Sequence, residues 1–128
     1  MSNNLKYSHN HPELSINEVY HSYNENPCLK NITFDVLKGE IISLLGPSGS
    51  GKTTILRSIA GLEQIISGEI LISDKLVSSR NTFVPPEKRK IGFVFQDYAL
   101  FPHLTVFKNI LFGLNSENTN RAFEVMQC

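Results

Sequence analysis

Tryptophan is missing from this sequence, and cysteine occurs only as Cys28 and Cys128, far apart and with no C-x-x-C spacing. That excludes a disulfide framework or a thiolate zinc site, and it fits a reducing compartment. The expected role of each thiol is packing or none. An excess of one charge is also absent, because Lys plus Arg and Asp plus Glu number 12 each. No overall field points to nucleic acid or to an acidic membrane surface, so any anion has to be bound locally. No apolar run approaches the roughly 20 residues of a membrane span, and the start of the chain has no apolar signal segment. The chain is therefore not expected to cross a membrane by itself. Residues 1–13 are rich in Asn, Ser and His and are expected to be disordered. His9 and His11 are close enough to suggest a metal pair, but a polar terminus fraying in water is the plainer expectation.

With 128 residues, 41% of them hydrophobic, the chain has the size and apolar content of one domain. Its most informative stretch is Gly46, Pro47, Ser48, Gly49, Ser50, Gly51, Lys52, Thr53 and Thr54, which fits G-x-x-x-x-G-K-[ST]. A phosphate chain is a strongly hydrated anion, so binding it means replacing many water hydrogen bonds with fixed donors where negative charge is already favoured. A glycine-rich turn leading into a helix meets both needs, since its amides converge and the helix start is electropositive. In this pattern Lys52 adds a full charge at the β and γ phosphates, and the Thr53 hydroxyl is placed to ligate Mg²⁺. The flanks agree with the motif. Ile41, Ile42, Ser43, Leu44 and Leu45 read as a parallel strand covered on both faces. After the motif, Ile55 and Ile59, and Leu56 and Ala60, recur at helical spacing, and Gly61 stands where a left-handed glycine ends a helix.

Elsewhere the pattern favours β structure. An extended run from Leu14 to Tyr23 is followed by Asn24, Glu25, Asn26 and Pro27, a turn by composition, and then by alternation at Ile32, Phe34 and Val36. These two strands are expected to be antiparallel. Glu69 to Ile72 and Leu76 with Val77 form a second expected hairpin across Ser73, Asp74 and Lys75. Residues 78–90, with Pro85 and Pro86 among them, are expected to hold no regular element, and Lys88, Arg89 and Lys90 to be a solvated basic corner. Ile91 to Phe95 is expected to be another buried strand, delivering Gln96 and Asp97 at the end that faces a ligand crevice in open α/β sheets. The aromatic loop from Tyr98 to Leu104 either packs into the core or is a docking surface. Thr105 is a good N-cap for a helix with Val106, Phe107, Ile110 and Leu111 on its apolar face, ending at Gly113.

These residues resemble the ATP-binding subunit of an ABC transporter, from about Leu14 to Leu114. The motif followed by Leu56-Arg57 and Ala60-Gly61-Leu62 is similar to that family's Walker A segment. The run from Phe95 through Gln96 and Asp97 to Val106 is similar to its Q-loop. The resemblance implies an α/β fold, a P-loop NTPase core with an incomplete parallel sheet and helices plus an antiparallel β layer, truncated before signature and Walker B. It also implies ATP and Mg²⁺ as cofactors. Tyr23 matches the aromatic that stacks on adenine, with packing at a strand end as the alternative. Gln96 matches the glutamine that approaches Mg²⁺ and the attacking water, so that Lys52 and Gln96 are the expected catalytic residues and Thr53 and Gln96 the metal contacts. The loop from Tyr98 to Leu104 matches the surface on which integral-membrane permease subunits dock. A second ATPase subunit in a head-to-tail dimer is the other implied partner, and no nucleic acid is. The implied location is peripheral, on the cytoplasmic face of the inner membrane.

Within the family, Val84-Pro85-Pro86-Glu87-Lys88-Arg89 and Asn109-Ile110-x-Phe112-Gly113-Leu114 are most similar to bacterial importers of the ferric-iron, polyamine, sulfate and maltose group. Ferric iron is the first expectation for the solute. No Leu-Ser-Gly-Gly-Gln signature, Walker B Asp-Glu or switch histidine follows the Q-loop. The expectation is an N-terminal part, residues 14–128, with 114–128 beginning a helical subdomain, that binds ATP and hydrolyses almost none alone. The alternative is a non-catalytic module that holds nucleotide or a permease. A GTPase or small-molecule kinase is disfavoured, because Asn-Lys-x-Asp is absent and Arg121 alone makes no lid.

Overall fold

The computed structural model describes residues 11–97 and 99–112, in two units that divide after Gly92. In the first unit, β1 (Leu14–Tyr23) and β2 (Asn26–Val36) pair antiparallel through a turn in which Asn24 and Glu25 both have positive φ, 45° and 66°. Two successive left-handed residues match the right-handed twist of a tight hairpin. The same device, at Ser73 and Asp74 with φ of 47° and 61°, joins β3 (Ser67–Ile72) to β4 (Lys75–Ser78). The four strands lie in the order β2-β1-β3-β4, every neighbouring pair antiparallel. The alternation of Ile16 with Ser15 and Asn17, and of Ile70 with Glu69, turns one face inward, where Ile16, Val19 and Ile70 are fully buried.

That face is covered by α1 (Lys52–Ala60), whose Ile55 joins the core with Leu29, Ile65 and Val77. Burial of each such side chain contributes about 1.5–3 kcal/mol. The helix ends as its sequence predicts. Gly61 takes a left-handed φ of 81°, its amide bonds Ser58 O, and the Leu62 amide bonds Arg57 O at 2.9 Å, a Schellman arrangement.

Two expected strands are not there. Residues 41–45 and 91–95 carry no strand hydrogen bonding, and Ile41 and Leu45 are each 93% exposed. A parallel strand requires a neighbour to bond and cover on both faces. Among the described residues none supplies it, so the antiparallel layer is formed without a parallel sheet beside it. Only Leu44 of this run packs against the core. Just before β1, the Glu13 amide bonds Val36 O and its carbonyl accepts from the Ser73 amide, both at 2.8 Å.

The expected solvated corner at residues 88–90 needs correction as well. Pro86–Lys88 forms one 3₁₀ turn that swings Arg89 inward, where it is 4% exposed, while Lys88 and Lys90 stay in water. Arg89 Nη1 donates to Ser58 O and Ile59 O at 2.7 and 2.9 Å, Nη2 to Val77 O at 3.1 Å, and Nε to Val84 O at 2.6 Å. Two of these carbonyls belong to the electronegative end of α1. Burial lowers the guanidinium pKa from its ordinary value. The four carbonyls stand in for the water it lost.

In the second unit, Thr105 caps α2 (Val106–Leu111) by accepting from the Lys108 amide at 3.3 Å, as expected. Asn109 fastens the preceding loop. Its Nδ2 donates to Phe101 O, Leu104 O and Thr105 O at 3.1–3.2 Å, and its Oδ1 accepts from the Phe101 amide at 2.8 Å. Tyr98, Gly113 and the expected subdomain at 114–128 lie outside the described residues, as do residues 1–10. No helix among the described residues is long and apolar enough to cross a membrane.

Candidate functional site

The start of α1 is shaped by Gly51. Its φ of 88° is left-handed, and a Cβ there would lie 2.5 Å from Cys28 O and 2.9 Å from Leu29 Cδ2. Only glycine lets the loop press against β2 at this point. From Gly51 the first intrahelical bond runs from the Ile55 amide to Gly51 O at 2.9 Å. The helix start has no side-chain cap and no acidic residue in its first turn. Its leading amides are thus left for an anion, at the positive end of the helix dipole.

Lys52 brings the opposite charge to the same place. Its Nζ donates to Gly46 O at 2.8 Å, Pro47 O at 2.6 Å and Ser50 Oγ at 3.1 Å, so the ammonium is drawn back across the mouth of the loop. The Ser50 amide closes the loop onto Pro47 O at 3.3 Å. Ser48, Gly49 and Thr53 are exposed, while Thr54 turns inward beneath the loop. The arrangement is a ring of backbone around one fixed cation at an uncapped helix start, and it is suited to a polyphosphate. Among the described residues no group of three or more His, Cys, Asp or Glu could hold a metal. The exposed Thr53 hydroxyl is one oxygen of the loop that could join phosphate oxygens and water around Mg²⁺.

Tyr23 stands at the end of β1 with its ring 44% exposed, and the Glu63 carboxylate and Thr54 hydroxyl lie near enough to its phenol to influence its ionisation. Burial and the neighbouring Glu63 raise the phenol's pKa above 10.0, with Thr54 acting in the opposite direction. Glu63 also faces Arg57, with Oε2 3.7 Å from Nε. Gln96 belongs to the second unit, where it is exposed in the turn after residues 91–95. In that unit Phe93, Phe95, Ala99, Phe101 and Phe112 line an apolar hollow, and Phe101 stacks on Phe112 with ring centroids 4.2 Å apart.

Sequence reasoning missed Arg89, Asn109 and Glu63. A signal existed for Asn109, four residues after the capping Thr105 and so one helical turn above it. For Arg89 and Glu63 nothing in the local pattern separates them from solvated charges.

Residues 29–127 match the ABC transporter family. The chain is similar to the spermidine/putrescine import ATP-binding protein PotA of Legionella pneumophila strain Paris. The two are 48% identical over 109 residues, covering 85% of this chain and 29% of that protein. It is also similar to the Fe(3+) ions import ATP-binding protein FbpC 2 of Haemophilus influenzae, 43% identical over 124 residues that cover 92% of this chain and 35% of that protein. The chain thus spans about a third of the length of these curated relatives. Among solved structures, a dimeric bacterial ABC transporter cassette superposes with a TM-score of 0.73 at 30% identity, over 89% of this chain and 56% of that one. The same cassette, dimeric in a post-hydrolysis state and bound to ADP and Pi, gives 0.69 at 30% identity with the same coverage.

Proposed function

This chain belongs to the ABC transporter family and shares part of the fold of a solved ABC transporter cassette, and we propose that it carries the nucleotide-binding half of an importer ATPase. Residues 46–54 hold the phosphates of ATP through main-chain amides, Lys52 sits at the β and γ phosphates, and Thr53 ligates Mg²⁺. Tyr23 receives the adenine ring, and Gln96 approaches the metal and the attacking water. The observation that carries this reading is the Lys52 ammonium fixed by Gly46 O and Pro47 O in front of an uncapped helix start.

The partners in this reading are permease subunits, docking over residues 98–104, and a second ATPase subunit placed head to tail. The place of action is the cytoplasmic face of the membrane. Ferric iron is the solute we put first, in keeping with the Haemophilus relative. A polyamine is the second reading, favoured by the higher identity of the Legionella relative. Hydrolysis needs a general base and donors from a facing signature, groups that stabilise the transition state more than they bind ATP. The 128-residue chain is expected to bind ATP and turn over almost none.

A titration with a fluorescent ATP analogue and Mg²⁺ tests this. Saturable binding is expected, weakened at least about 100-fold by Lys52→Ala, since a charge-assisted phosphate contact is lost at a site with few other cations. Equal binding by the Lys52→Ala protein would overturn the assignment, and so would robust hydrolysis by the short chain, which would refute the need for residues supplied elsewhere.

A further inference from the structure

Beside the phosphate loop lies a group that the proposed function leaves unused. His21, two residues before Tyr23 on β1, is 5% exposed, and neither of its ring nitrogens makes a hydrogen bond. Its Nε2 points at Glu63, 3.6 Å from Oε1. Its ring meets that of Tyr23 edge to face, with centroids 4.7 Å apart and planes at 81°. A buried imidazole without hydrogen bonds is a poor choice for packing alone, because a leucine would fill the space without stranding polar atoms. Histidine at this position therefore points to a task beyond packing.

The neighbours indicate which task. Two residues at alternate positions of a strand share a face, but Tyr23 stands at the strand's end, where little else covers its ring. The ring is met edge to face by His21, and Glu63 and Thr54 stand near its hydroxyl. Glu63 follows the Schellman turn that ends α1, and Arg57 of α1 pairs with its other oxygen. His21 and Tyr23 thus converge on one carboxylate, and that carboxylate is anchored to the helix that begins at the phosphate loop.

We propose that His21 is a positioning residue for the ring of Tyr23, acting through their edge-to-face contact and through the Glu63 carboxylate that both side chains approach. The inference rests on the reading that Tyr23 stacks on the nucleotide base. His21 itself touches no ligand. It sets the angle at which the Tyr23 face is presented, and Glu63 ties that angle to the helix carrying the phosphate site.

The experiment compares the 128-residue chain with His21→Leu, His21→Phe, Tyr23→Ala and the His21→Leu/Tyr23→Ala double variant, each titrated with ATP and with tripolyphosphate in Mg²⁺. An aromatic pair of this geometry is worth about 0.5–1.5 kcal/mol, so His21→Leu is expected to weaken ATP binding about fivefold. Tripolyphosphate binding is expected to stay unchanged. His21→Phe keeps a ring edge and lacks the nitrogen facing Glu63, and its loss is expected to be intermediate. In the Tyr23→Ala background, His21→Leu is expected to cost nothing further, which a purely structural role would not produce. Unchanged ATP affinity in His21→Leu, alongside a loss in Tyr23→Ala, would overturn the positioning role and leave the Tyr23 reading intact. Unchanged affinity in Tyr23→Ala would overturn that underlying reading. A parallel loss of tripolyphosphate binding in both His21 variants would make His21 a structural residue only.

Discussion

Ile70 and Ile41 are the same side chain in similarly apolar surroundings along the chain, yet one is 0% exposed and the other 93%. Ile70 sits in β3 between β1 and β4, hydrogen-bonded on both edges, with α1 over its face. Ile41 has no strand beside it among the described residues. The difference shows that an apolar run specifies only a wish to be covered, while the partner strand decides whether the wish is met. Leu44, close to Ile41 but within reach of the sheet and α1, lies between the two extremes and packs on the core.

The largest expected effect follows from this contrast. Ile70→Ala should lower unfolding stability by about 2–5 kcal/mol in urea denaturation, since it opens a cavity in a filled core. Ile41→Ala should change it by less than about 0.5 kcal/mol, the usual range for an exposed position. Equal losses at the two sites would mean that residues 41–45 are covered in solution and would break the comparison.

A second pair sharpens the same point with charge. Arg89→Leu should cost about 3 kcal/mol, because four carbonyls lose a charged donor together. Lys88→Leu should be close to neutral. A near-neutral Arg89→Leu would show that the carbonyls are satisfied by water and that the arginine does not hold β4 to the end of α1.

Much of this fold was legible because it is local. Both hairpins, the Thr105 cap, the glycine at the end of α1 and the spacing of residues 46–54 all depend on contacts within a few positions. What escaped reading is set over long separations. The pairing of β1 with β3, through Ile16 with Ile70, has no local signature. Burial of Arg89 depends on carbonyls from α1 and β4, and Glu63 matters only because the fold brings it to His21 and Tyr23. The same reasoning explains the error at residues 41–45 and 91–95, where continuous hydrophobicity suggests a strand to be covered on both faces but cannot supply the neighbour.

For the candidate site, the part of the local geometry that the sequence foretold is the glycine-rich loop entering α1 at Lys52. The loop is self-contained, and Gly51 needs only the near passage of Cys28 on β2. Tyr23 was legible as an aromatic at a strand end, while its ties to Thr54 and Glu63 were not.

The account rests on main-chain amides at the start of α1 gripping a polyphosphate. The most direct measurement is an amide-resolved NMR titration of the ¹⁵N-labelled chain with Mg·ATP. The predicted result is that the amides of Gly49, Ser50, Gly51, Lys52, Thr53 and Thr54 shift together and saturate, with β-sheet amides such as Ile70 unmoved. Saturation with shifts elsewhere, and none along residues 49–54, would contradict it.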